Sequence, residues 1–441
     1  MKRALVFSGG GARGAYELGV WKALNELNIH FDIVTGTSVG ALNGAMFAIG
    51  NYDLAEKLWL NLEPNQVIKT EEKDPKIVYA KFLKEAATGG ANTEPLENLL
   101  KLAVDENAVR NSKIKYGLAT CTFPILKPQF LTIDNIPKGQ LIDYLVASAT
   151  AYPTFRPKTI GESKFIDGGF YDNLPINMAI DMGADEIIAV NLQAIGIYRK
   201  VKTSNIDIET IMPSRELGSF LMFDKNLVKI NSQIGYQDTM KFFEQMDGEY
   251  FSFYKDEIIN NGKEFAVNFR KLIAKIFDVK ANWLVIDFAK MFSSKRVFKK
   301  FKSMHQRGYS NSISKLIQGI DACGKTFEMD GLKIYHLQEF NQIIIEKVNL
   351  IKENNYDFLK HADVTFDPLD LERFARTDKK LLAIYILRKI ELFEEGKVSG
   401  LEIYSLFSLY SNVALSALYL RVVLKCNKNQ NCFPGGIQYN G

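Results

Sequence analysis

Ser38 is the residue whose surroundings most favour covalent chemistry. It lies in IVTGTSVGALNG, residues 33–44, between Gly36 and Gly40. An apolar run precedes it and small residues follow, a pattern typical of a sharp strand-to-helix turn that presents a nucleophile. Val39 would then direct its N–H group into the same site. A packing turn with an incidental serine is the alternative. A serine nucleophile also needs a base, usually a histidine, and none of the four histidines stands beside this turn.

A glycine-rich stretch, GGGARG, follows the first apolar run and ends at Gly14. Glycines let backbone N–H groups approach a ligand closely, and a helix N-terminus favours negative charge, so the stretch can hold an oxyanion. Gly9, Gly11 and Gly14 also satisfy the dinucleotide fingerprint G-x-G-x-x-G. That fold requires an acid at the end of the second strand, whereas Asp32 stands at its start. A nucleotide site is therefore the less favoured interpretation.

The segment FIDGGFYDNLP, residues 165–175, carries the carboxylates Asp167 and Asp172. Asp-Gly is turn chemistry, so the segment by itself is interpreted as a turn. Among the histidines, His30 precedes the strand that leads to Ser38 and should lie at the far edge of the sheet. A histidine that folds back from the later half of the chain stays an alternative base. The three in that half are His305, His336 and His361.

Several elements must position these residues. Apolar runs predict strands over Arg3–Phe7, 31–36, Lys115–Phe123 and Glu186–Leu192. Periodic apolar residues predict helices over Ala15–Leu27, Val39–Ile49 and Asp53–Leu62. Strands that alternate with helices predict an α/β fold, with a mainly parallel sheet covered on both faces.

The pattern changes after about residue 240, where long charged helical segments begin. We expect a catalytic domain over 1–240, a helical region of unknown role over 241–425 and a disordered tail over 426–441. Ile403–Leu420 is uncharged but contains four serines and Asn412, so a buried helix is favoured over a membrane span. In Lys295–Lys302, KRVFKKFK, phenylalanines interleave with basic residues. This stretch indicates either docking on an anionic membrane surface or a solvated helix face.

Composition limits the other kinds of function and site that this sequence could support. The 441 residues carry a formal net charge of +4, which gives no support for nucleic-acid binding. The four cysteines have irregular spacing and suggest no disulfide framework, with Cys426 and Cys432 as a weak pair for a metal or a disulfide. The apolar run near the N-terminus is too short for a signal peptide, so we expect an intracellular, cytoplasmic protein, peripheral to a membrane if Lys295–Lys302 docks there. Oligomeric state is not indicated.

Together, the segments of roughly residues 1–240 resemble the patatin-like phospholipases, serine acyl hydrolases that use a Ser–Asp dyad. The family's glycine-rich oxyanion loop is similar to Gly9–Gly14, including the basic residue Arg13. Its G-x-S-x-G turn is similar to Gly36–Gly40, and its D-G-G segment to Asp167–Gly169. A weaker block is similar to Ala147–Pro157, and Asn173 and Pro175 continue the D-G-G block.

This resemblance implies roles and a fold. Ser38 becomes the nucleophile and Asp167 the base. Gly10 and Gly11, with Arg13 and Val39, form the oxyanion hole. The supporting glycines are Gly9, Gly14, Gly36, Gly40, Gly168 and Gly169. The implied fold is a three-layer α/β/α domain.

The implied activity is hydrolysis of phospholipids, lysophospholipids or other acyl lipids through an acyl-enzyme, with no metal or other cofactor. An acyltransferase that uses the same acyl-enzyme and a non-catalytic lipid-binding module are the alternatives.

Overall fold

The structure is a computed structural model that describes residues 1–67, 69, 72, 74–203, 205–277, 310–355 and 378–428. The chain forms two compact units, Met1–Met240 and Lys241–Gly441. The basic stretch Lys295–Lys302, two histidines (His305 and His361) and Cys432 lie outside the described residues.

The first unit is built on one eight-stranded sheet with the order β5-β6-β3-β2-β1-β7-β8, and β4 pairs with β3. Its centre, β3-β2-β1-β7-β8, is parallel, whereas β4, β5 and β6 run antiparallel to their partners. The strands are β1 Arg3–Phe7, β2 Ile33–Thr37, β3 Lys115–Phe123, β4 Pro128–Thr132, β5 Lys158–Ile160, β6 Ser163–Asp167, β7 Glu186–Val190 and β8 Asp207–Ile211.

Nine helices accompany this sheet in the described residues. They are α1 Ala15–Glu26, α2 Val39–Ile49, α3 Tyr52–Asn61, α4 Pro75–Ala87, α5 Glu94–Ala103, α6 Glu106–Arg110, α7 Leu141–Ser148, α8 Ile176–Asp181 and α9 Lys225–Phe242. The last of them ends two residues beyond the boundary between the units. Short 3-10 helices cover Gly11–Gly14, Pro64–Gln66 and Gly168–Phe170.

Helices cover both faces of the sheet because successive apolar side chains of its central strands point to opposite faces, and both sets must be buried. Val6 packs in a buried cluster with Ala179 of α8. The next residue, Phe7, points to the opposite face, where its ring contacts Phe47 of α2 edge-on at 6.0 Å. The predicted three-layer α/β/α arrangement with a mainly parallel sheet is confirmed.

The second unit is mainly helical, as predicted, and also contains a small three-stranded sheet that the sequence analysis did not anticipate. Its strands are β9 Met246–Asp247, β10 Ser252–Tyr254 and β11 Ile334–Tyr335. Its described helices are α10 Glu257–Asn261, α11 Lys263–Phe277, α12 Asn311–Thr326, α13 Leu337–Asn354, α14 Lys379–Glu394, α15 Gly400–Leu409 and α16 Ser411–Lys428.

The uncharged segment Ile403–Leu420 is divided between two helices, α15 and α16, with Tyr410 between them. Leu406, Leu418 and Tyr419 are buried in the core of the second unit, as expected for a buried segment. None of the described helices has the length and hydropathy needed to cross a bilayer. Helix α16 continues to Lys428, so the first three residues of the range predicted as a tail are helical.

Candidate active site

Ser38 occupies the turn between β2 and α2, where it is the residue immediately before the helix. Its φ of 56° and ψ of −130° are unusual for a residue other than glycine, and such strained backbone is typical of functional sites. The flanking glycines are needed because the turn is tight. A Cβ on Gly36 would lie 2.2 Å from the Gly40 carbonyl oxygen, and a Cβ on Gly40 would lie 2.6 Å from that of Ser8.

Asp167 ends β6, the strand that pairs antiparallel with β3, and its Cα lies opposite that of Thr120. The carboxylate is buried, lies close enough to the Ser38 side chain to interact with it, and accepts a hydrogen bond from the Gly169 N–H at 2.7 Å. Burial raises the pKa of Asp167 and outweighs the lowering effect of the Ser38 side chain and of the Gly169 N–H, so the pKa moves from 3.8 to about 6. The structure therefore brings together the two residues predicted as nucleophile and base.

The other candidate bases lie elsewhere. Asp172 is buried and burial raises its pKa to about 6 as well, but its carboxylate accepts from the Leu174 N–H and does not line the cavity that contains Ser38. His30 is exposed and lies before β2, at the end of the sheet opposite Ser38. His336 belongs to the second unit, where its Nδ1 lies 2.7 Å from a carboxylate oxygen of Glu257.

The glycine-rich loop approaches Ser38 from the end of β1. A Cβ on Gly9 would lie 3.1 Å from that of Ser38, and the Gly9 N–H donates to the Asn173 carbonyl at 3.0 Å. Within the described residues, no hydrogen-bond acceptor faces the N–H groups of Gly10, Gly11 or Val39. These three residues line the same cavity as Ser38 and Asp167.

Arg13 makes contacts of a different kind. Its N–H donates to the Gly10 carbonyl at 3.2 Å, so this group is already satisfied. Its side chain donates to two backbone carbonyls, of Gly218 at 2.9 Å and of Gln193 at 3.2 Å. It thereby ties the glycine-rich loop to two segments far along the chain.

The remaining glycines of the motifs lie beside the same residues. Gly14 packs against the Val39 side chain, where a Cβ would approach within 2.4 Å. Gly168 and Gly169 begin the 3-10 helix after β6, and a Cβ on Gly168 would lie 2.4 Å from the Ala119 carbonyl oxygen.

Ser148 holds the backbone of Ser38 in place, a role that the sequence analysis did not identify. The Ser38 N–H donates to Ser148 Oγ at 2.9 Å, and the Ser148 hydroxyl donates to the Ala119 carbonyl at 2.7 Å. Ser148 is the last residue of α7 and is fully buried. Because its hydroxyl connects the turn to β3, it fixes the position of the candidate nucleophile relative to the sheet.

A cavity of about 630 Å³ opens beside Ser38, within the range of about 300–1,000 Å³ usual for small-molecule sites. Most side chains on its wall are apolar, among them Leu42, Met46, Leu96, Leu100, Phe155 and Phe223. The arrangement suits a long hydrocarbon group whose polar end reaches Ser38. Among the described residues, no three His, Cys, Asp or Glu side chains cluster as metal ligands would.

A buried polar network adjoins this cavity. Asn43 and Trp59 line it, and Asn43 Oδ1 accepts a hydrogen bond from Trp59 Nε1 at 2.9 Å. Asn43 Nδ2 donates to Glu17 Oε2 at 2.8 Å. Burial raises the pKa of Glu17 well above its ordinary value, against the lowering effect of its hydrogen bonds. The network fixes Asn43 and Trp59 in the cavity wall.

Comparison with known proteins places this site in a family. Residues 5–180 match the family model of the patatin-like phospholipases. Lysophospholipase nte1 of Aspergillus terreus is 30% identical over 196 residues, which is 43% of this chain and 12% of that protein. Patatin-like phospholipase domain-containing protein 7 of Rattus norvegicus is 28% identical over 197 residues, 43% of this chain and 13% of that protein. The chain thus spans only a small part of the length of these relatives.

A solved structure was also found to be similar. VipD from Legionella pneumophila aligns over 100% of this chain and 93% of its own, with a TM-score of 0.35 and 13% sequence identity. A TM-score of this size supports no inference about function. The family model, which covers Ser38 and Asp167 together, identifies residues 5–180 as a domain of the patatin-like phospholipase family, a family of lipid ester hydrolases.

Proposed function

We propose that the first unit hydrolyses carboxylic esters of acyl lipids, with Ser38 as nucleophile and Asp167 as general base. One observation carries this proposal: the Ser38 side chain interacts with the buried carboxylate of Asp167, and both residues line the same apolar cavity. The membership of this domain in a phospholipase family supports a lipid as the substrate class. Nothing in the proposed chemistry calls for a metal or another cofactor.

The low basicity of an aspartate limits any Ser–Asp dyad, and burial makes Asp167 more basic. An ordinary aspartate, with a pKa of about 3.9, is a poor acceptor for a serine proton. In this fold burial raises the pKa of Asp167 to about 6. The carboxylate therefore stays ionised at neutral pH yet accepts a proton more readily than a solvated aspartate.

The backbone supplies the complementary positive charge. The N–H groups of Gly10, Gly11 and Val39 have no protein acceptor among the described residues and border the same cavity as Ser38. We assign these three groups to the oxyanion hole, where each donor contributes about 3 kcal/mol to the transition state. Arg13, whose N–H and side chain both bind backbone carbonyls, acts as a positioning residue for that loop.

The reaction then follows in two steps. Asp167 takes the Ser38 proton as Oγ attacks the ester carbonyl, and the resulting oxyanion is held by the three N–H groups. The intermediate collapses to an acyl-Ser38 ester, and the leaving alcohol receives the proton from Asp167. Water, deprotonated by Asp167, attacks the acyl group. The bond to Ser38 Oγ breaks, Asp167 returns the proton to that oxygen, and the fatty acid is released.

The substrate class is an ester with at least one long acyl chain, such as a phospholipid or a lysophospholipid. The apolar wall of the cavity supports this class, because it would hold the hydrocarbon chain out of water. Two relatives in the comparison are named as a lysophospholipase and a phospholipase domain-containing protein, although this chain matches about an eighth of their length or less.

The proposal can be tested with an alkyl fluorophosphonate, which forms a covalent adduct with an activated serine, followed by mass spectrometry. We expect one adduct, on Ser38, and a loss of ester hydrolysis in Ser38→Ala but not in Ser163→Ala, which changes an exposed serine of β6. An adduct on another residue, or full hydrolysis by Ser38→Ala, would refute the nucleophile. Transfer of the acyl group to an added alcohol in preference to water would identify an acyltransferase with the same nucleophile.

A further inference from the structure

The loop of residues 193–203 forms one wall of the cavity and is fixed to the segment that follows Asp167. Ala194, Ile195, Gly196 and Ile197 all line the cavity. The Ile197 N–H donates to the Gly169 carbonyl at 3.0 Å. Its carbonyl accepts from the Asn173 N–H at 2.6 Å, and the Tyr198 hydroxyl accepts from Asn173 Nδ2 at 3.2 Å. The loop is therefore part of the site's architecture.

Large apolar side chains of this loop face solvent. Ile195 borders the cavity and is 91% exposed, and Ile197, Tyr198 and Val201 are exposed as well. Two further residues of the cavity wall, Tyr152 and Phe170, are also exposed. Clustered exposure of this kind is unusual on a soluble surface and marks interaction sites.

The same loop is strongly basic. Residues 193–203 contain Arg199, Lys200 and Lys202 and no acid. The Arg199 guanidinium lies 3.7 Å from the centre of the Tyr171 ring and donates to the Tyr171 carbonyl at 2.9 Å. Lys202 forms an exposed ion pair with Asp181 at 2.7 Å. Lys200 is exposed and has no acidic partner among the described residues, so its charge is available to a ligand.

We propose that loop 193–203 docks the first unit on an anionic lipid surface and brings the cavity to the bilayer. The proposal rests on the proposed function, because a lipid ester must leave its bilayer to reach Ser38. Exposed isoleucine, tyrosine and valine beside lysine and arginine match an interface that is apolar below and anionic at its surface. The continuity of these residues with the cavity wall favours a lipid surface over a protein partner.

Charge reversal at Lys200 measures the electrostatic contribution to vesicle binding. Each cation near an anionic leaflet contributes about 1 kcal/mol, or about fivefold in affinity, so Lys200→Glu should weaken binding by about 25-fold. The assay is sedimentation of the full chain with phosphatidylcholine vesicles that contain or lack phosphatidylserine. The matched control is Lys115→Glu, because Lys115 is exposed at the first position of β3, at the opposite end of the sheet, and gives the same change in net charge.

Ile195→Ser measures the apolar contribution to vesicle binding. It should weaken binding to both kinds of vesicle by about tenfold or more, because the variant loses the burial of an isoleucine side chain in the bilayer. Its control is Ile230→Ser, an exposed isoleucine of α9 that does not line the cavity. A wild-type chain that binds neither kind of vesicle would overturn the proposal. So would equal losses in Lys200→Glu and Lys115→Glu, or in Ile195→Ser and Ile230→Ser.

Hydrolysis of a water-soluble short-chain ester separates this inference from the proposed function. Lys200→Glu should hydrolyse that ester at the wild-type rate while it loses activity on phosphatidylserine-containing vesicles. If Lys200→Glu and Ile195→Ser lose vesicle binding as expected but the wild-type chain hydrolyses neither the soluble ester nor the vesicle lipid, the proposed function fails and the docking surface stands. If it hydrolyses the ester but does not bind vesicles, the docking surface fails and the proposed function stands.

Discussion

The pKa of Asp167 predicts how ester hydrolysis depends on pH. The proposed base works only when ionised, and burial raises its pKa from 3.8 to about 6. Because a carboxylate loses its charge as pH falls through its pKa, hydrolysis should decline below about pH 6 and level off above about pH 7. The pH dependence of kcat/KM reports this ionisation in the free enzyme.

The size of the decline follows from the ionised fraction of the carboxylate. With a pKa of about 6, roughly nine-tenths of Asp167 is ionised at pH 7 and roughly one-tenth at pH 5, so kcat/KM should fall about tenfold between them. A solvated aspartate, with a pKa of about 3.9, would change its ionised fraction by less than about 10% over the same interval. The two cases are therefore easily separated.

The assay uses a monomeric, water-soluble ester, so that binding to a lipid surface does not affect the profile. Asp167→Asn should lower kcat/KM by about 10²–10⁴-fold, and its residual activity should lack the inflection. Asp172→Asn is the matched control, because burial raises the pKa of Asp172 to about 6 too, although that side chain does not line the cavity. A flat profile from pH 5 to 7, or an inflection abolished by Asp172→Asn and kept by Asp167→Asn, would refute the assignment.

Three further substitutions test the supporting structure. Ser148→Ala leaves the buried Ser38 N–H and Ala119 carbonyl without their partner, so it should lower the free energy of unfolding by about 1–3 kcal/mol and reduce kcat more than it raises KM, measured by thermal unfolding and steady-state kinetics. Glu17→Gln removes a buried acid whose pKa is raised in the folded chain. In the wild type, ionising this acid lowers the free energy of unfolding increasingly as pH rises above about 4.5, and the variant avoids this loss. The melting temperature of Glu17→Gln relative to wild type should therefore increase from pH 5 to pH 8. Gly40→Ala places a methyl group against the backbone at the end of β1, so the variant should be insoluble or lose at least about 4 kcal/mol of stability, checked by expression and circular dichroism.

The parallel centre of the sheet could be predicted from the sequence because its strands are buried on both faces. Arg3–Phe7 is a nearly continuous apolar run, Lys115–Phe123 is rich in apolar residues, and both strands have the predicted bounds. The antiparallel edge could not be predicted in the same way. Pro128–Thr132 and Lys158–Ile160 are short and only partly buried, so they lack the apolar run that marks a central strand.

The residues of the candidate site also differ in whether the sequence could predict them. Ser38 and the glycines around it could be predicted because a tight turn restricts residue type over a few consecutive positions. Ser148 could not, because nothing in its local sequence marks a serine whose partners are the Ser38 N–H and the Ala119 carbonyl. Likewise, Arg13 stood in a recognisable motif, but its bonds to Gly218 and Gln193 depend on loops that only tertiary structure brings near.

The position of Asp167 follows from the edge strands that the sequence did not reveal. The turn at Ser38 extends from β2, and β3 separates that strand from β6 in the sheet order. Strand β3 extends beyond the end of β2, and β6 pairs only with this extension, Thr120–Phe123. Running antiparallel from Phe123 towards Thr120, β6 therefore ends level with the Ser38 turn, with Asp167 opposite Thr120. Burial there raises the pKa of Asp167 by about two units, which costs about 3 kcal/mol of folding stability at most. This cost is absent below about pH 3.8, grows as pH rises and is fully present above about pH 6. At neutral pH the fold is therefore less stable because of the same burial that makes this carboxylate a usable base.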